Sequence, residues 1–78
     1  MREKEKRVVI TFFTSAEAMA TEKLCKAENL DGKLISAPRS LSADCGIAWS
    51  APLALRDVLH ETVEKNGIEY EGFHELLL

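Results

Sequence analysis

Val8-Val9-Ile10-Thr11-Phe12-Phe13-Thr14-Ser15-Ala16-Glu17 is the stretch on which the fold of this chain turns. Its first six residues are β-branched or aromatic, which is a strand signal. Both faces of that strand are apolar, with Val8, Ile10 and Phe12 on one and Val9 and Phe13 on the other. The pattern predicts a central strand with something covering each side. Thr14-Ser15-Ala16-Glu17 then opens a helix. Thr14 can accept from the backbone amide of Glu17 while the Glu17 carboxylate reaches back, the geometry of a capping box.

Before this stretch, Arg2 to Arg7 alternates in sign and has no apolar face. Residues 1–7 are expected to be a flexible lead-in and 8–78 a single domain. After it, Ala16, Met19, Ala20, Leu24 and Ala27 recur at helical spacing and predict a narrow buried stripe, with Cys25 at its flank. Asn29 and Gly32 supply left-handed conformations that end the helix. Lys33 to Ala37 reads as a second strand, stopped by Pro38. Residues 38–46 (Pro-Arg-Ser-Leu-Ser-Ala-Asp-Cys-Gly) have neither period and form a loop. Ile47 to Ser50 is a third strand with Trp49 as its largest side chain. Pro52 suits the first turn of a second helix. Leu55, Val58, Leu59, Thr62 and Val63 form that helix's stripe, and Asn66-Gly67 ends it. Phe73 to Leu78 is the last strand, and Gly72 marks a bulge or bend.

The order is β-α-β-β-α-β. Right-handed crossovers place both helices on one face of a four-stranded antiparallel sheet, the ferredoxin-like α+β arrangement. The opposite face is then bare. Either it self-associates, giving a homodimer, or it is a modest patch on a monomer.

The totals set the bounds. Seventy-eight residues make one domain with a thin core. A net charge of −3, with the signs mixed, gives no reason to expect nucleic acid or an anionic membrane as partner. No apolar run reaches the ~18 residues of a membrane span, and no export signal follows the charged start. Two cysteines twenty positions apart then read as reduced cytoplasmic thiols.

Cys45 is the first candidate for chemistry, because a free cysteine in a polar loop is less expected than one in a core. Gly46 permits close backbone approach, so amides can face the sulfur. Arg39 in the same loop would lower the thiol pKa, and adjacent Asp44 would raise it. The other reading is an inert cysteine tucked under the loop. Arg39 could hold a small anion, or it could cap a carbonyl or pair with Asp44. Cys25 is expected to be structural. His60 falls on the polar side of the second helix among Arg56, Glu61 and Glu64, and His74 lies in the final strand beside Glu75. No Cys/His spacing suggests a metal, no Gly-rich loop suggests a phosphate cofactor, and no acid-base pair suggests a stand-alone enzyme.

Phe13-Thr14-Ser15 running into Ala18 and Glu22, then Pro38-Arg39, then Cys45-Gly46 after a Ser-containing spacer, resembles a family of small bacterial domains described as selenium/sulfur carrier-like proteins. The likeness runs from about Val9 to the last strand. It implies that Cys45 carries sulfur or selenium as a persulfide or selenopersulfide, with Arg39 and Gly46 shaping the loop. The partners it implies are a cysteine desulfurase-like donor and a sulfur- or selenium-using acceptor. The sequence lacks the Cys-Pro-x-Pro element of better-known sulfur-relay carriers. Two other readings stand beside the carrier. One is a non-catalytic interaction or regulatory domain that dimerises through the open sheet face. The other is a redox sensor pairing Cys45 with Cys25.

Overall fold

Four strands form one sheet in the order β2-β3-β1-β4, with every neighbouring pair antiparallel. The computed structural model describes residues 6–37 and 46–77. In chain order the elements are β1 (Lys6–Thr11), α1 (Ser15–Ala27), β2 (Lys33–Ser36), β3 (Ile47–Pro52), a 3-10 turn (Leu53–Leu55), α2 (Arg56–Lys65) and β4 (Gly72–Leu77). This is the ferredoxin-like order that the sequence predicts. The first strand begins at Lys6, two residues earlier than expected, because Lys6 and Arg7 complete the ladder to Leu77 and Leu76.

The core lies between sheet and helices. Val8, Ile10 and Phe12 meet Trp49 and Ala51 of β3, Ala18 and Cys25 of α1, and Leu59 of α2. In α1 the buried residues are Ala18, Thr21 and Cys25, so the expected stripe is displaced around the helix. Ala16, Ala20 and Ala27 are exposed, Met19 is 58% exposed and Leu24 is half-buried. Alanine gains too little from burial to dictate which side docks, so tertiary packing chooses. Thr21 can be buried because its hydroxyl donates to the Glu17 carbonyl at 2.9 Å. In α2, Leu59, Thr62 and Val63 face inward as expected, whereas Val58 is exposed.

Three local expectations are corrected. The Thr14 hydroxyl donates to Glu17 Oε1 at 2.5 Å, so this N-cap joins two side chains where a capping box would bond the backbone. Pro52 closes β3 in an extended conformation, and a 3-10 turn separates it from α2. Gly72 makes no bulge. It pairs in register with Thr11.

The sheet face opposite the helices is not bare. Register places Arg7, Val9 and Thr11 there with Ala48 and Ser50 of β3 and His74 of β4. Val9, Thr11, Ala48 and Ser50 are all fully buried. Arg7 Nε donates to Ser50 Oγ at 2.7 Å, and His74 Nε2 lies 3.2 Å from Thr11 Oγ1. Phe13, expected on this face, lies past the end of β1 and is 48% exposed. The apolar surface that motivated dimerisation through this face is therefore already shielded within one chain.

Candidate functional site at the base of the Cys45 loop

β2 and β3 form a hairpin whose connection spans the candidate loop. The last ladder pair is Ser36 with Ile47, and beyond it the Ala37 amide donates to the Gly46 carbonyl at 2.9 Å. Residues 37 and 46 are thus clamped together, which fixes both ends of the loop against the sheet. Cys45 and Arg39 lie outside the described residues; Gly46 lies within them. Its φ of +73° is in the left-handed region, where a side chain is strained. A Cβ placed there would meet nothing within 4 Å, so conformation, not space, favours glycine.

The antiparallel ladder fixes which segments share this end of the molecule. Thr11 pairs with Ala48, so the chain through Phe12, Phe13 and Thr14 emerges beside the start of β3. There α1 begins. On the far side, the Glu71 amide donates to the Thr11 carbonyl at 2.6 Å, bringing the turn after α2 to the same end. Between α1 and that turn runs an open groove of about 380 Å³, lined among the described residues by Ala16, Glu17, Ala20, Asn66, Gly67, Ile68 and Glu69.

The other candidates are placed away from such a role. Cys25 is a free thiol with no solvent exposure. Burial first, and the nearby Glu28 carboxylate second, push its pKa up to about 11. A thiol held protonated is a poor nucleophile. His60 packs edge-on against Phe73 and Tyr70 on the helix side, with Nε2 3.2 Å from the Tyr70 hydroxyl. His74 is on the opposite face with Thr11. The carboxylates Glu61 and Glu64 sit exposed on α2. Among the described residues no group of three or more His, Cys, Asp or Glu could hold a metal ion, and no helix is long and apolar enough to cross a membrane.

The family model "Putative Se/S carrier protein-like" matches residues 7–75. The chain belongs to this family. No curated relative and no solved structure matches it. The matched span takes in every element from β1 to the body of β4, together with the loop that bears Cys45. Sequence reasoning missed the groove between α1 and the turn after α2 in this family member. Ala16 and Ala20 were read as core, and only the docked helix shows that they face outward.

Proposed function

We propose that this family member is a sulfur or selenium carrier that uses the Cys45 thiol. The observation supporting it most directly is the clamp between Ala37 and Gly46, which ties a cysteine-bearing loop to a rigid sheet end. A carrier needs its thiol on a loop that a partner can reach, anchored on a scaffold that fixes where the loop stands. The second thiol of the chain is sealed in the core, which leaves Cys45 as the residue suited to exchange.

The step is a thiol exchange on a persulfide. The Cys45 thiolate attacks the outer sulfur of a donor persulfide, R–S–SH. A new S–S bond forms on Cys45, the donor's S–S bond breaks, and the donor leaves as its thiolate R–S⁻. The product is Cys45–S–SH, and no oxidant or reductant is consumed. A selenopersulfide donor follows the same path with the terminal selenium. A cysteine desulfurase-like enzyme is the donor class this chemistry calls for, and a sulfur- or selenium-using enzyme the acceptor. Arg39 in the loop would favour the thiolate form.

The test is intact-protein mass after incubation with a persulfide donor. Wild type should gain one sulfur atom, located on Cys45 by peptide mapping, and Cys45→Ser should gain none while unfolding at the same denaturant concentration. Loading of Cys45→Ser at the wild-type rate would refute the proposal.

A further inference from the structure

We draw no further inference here: the strongest candidate, the sheet face opposite the helices on which Arg7, Lys33 and His74 surround the buried Thr11 and Ser50, carries nothing because nothing among the described residues shows what covers it.

Discussion

At the scale of single residues, two side chains report on packing that the sequence does not display. Gly32 closes over the edge of the Trp49 indole, and a Cβ there would stand 2.5–2.7 Å from three indole ring atoms. Trp49 is fully buried within the core cluster, so the ring has little room to retreat. Gly32→Ala should therefore cost about 1–3 kcal/mol, the usual range for overpacking, measured by denaturant unfolding followed through tryptophan fluorescence. Cys25 reports differently. Its pKa is about 11 in the folded chain against an ordinary value near 9. Above pH 9 the unfolded state loses this proton and the folded state keeps it, so stability falls as pH rises toward 11. The fall attributable to Cys25 should approach about 2–3 kcal/mol by pH 11. It is read as the difference in alkaline slope between wild type and Cys25→Ala, and equal slopes would contradict the assignment.

At the scale of elements, α1 shows that an apolar pattern can be present and still point the wrong way. Met19, Ala16 and Ala20 line one arc, while Ala18, Thr21 and Cys25 line the arc that docks. The two arcs differ little in hydrophobicity, and close approach to the sheet rewards the smaller, self-satisfied set. Met19→Lys should thus change stability by no more than about 0.5 kcal/mol. Ala18→Leu, which forces three more carbons under a packed helix, should cost about 1–3 kcal/mol in the same denaturation assay. The ion pair between Arg56 Nε and Glu75 Oε2, 3.2 Å apart and half-exposed on both sides, ties α2 to β4. Glu75→Gln should cost less than about 1 kcal/mol, and less still at high salt.

At the scale of the whole molecule, β1 and β3 are paired on both edges, and β1 is also buried on both faces. Their amides should be the slowest to exchange with deuterated solvent, and those of the edge strands β2 and β4 faster, with β1 approaching the global unfolding free energy. Faster exchange in β1 than in β4 would mean that the edge strand, not the centre, holds the fold together. The clamp at the base of the Cys45 loop joins the end of edge strand β2 to the start of interior strand β3.

The order of elements was legible by itself, because the apolar alternation of Val8 to Phe12, the turn residues Asn29 and Gly67, and the period of Leu59, Thr62 and Val63 are local signals. Cys45 stood out as a candidate too, since a cysteine before a glycine in an aperiodic stretch is conspicuous without any coordinates. Which arc of α1 docks, how Arg7 and His74 bond into the sheet face expected to be bare, and the groove between α1 and the turn after α2 came only with the tertiary structure. Each depends on contacts between residues 40 or more positions apart or on near-ties in hydrophobicity, and a local pattern holds no information about either.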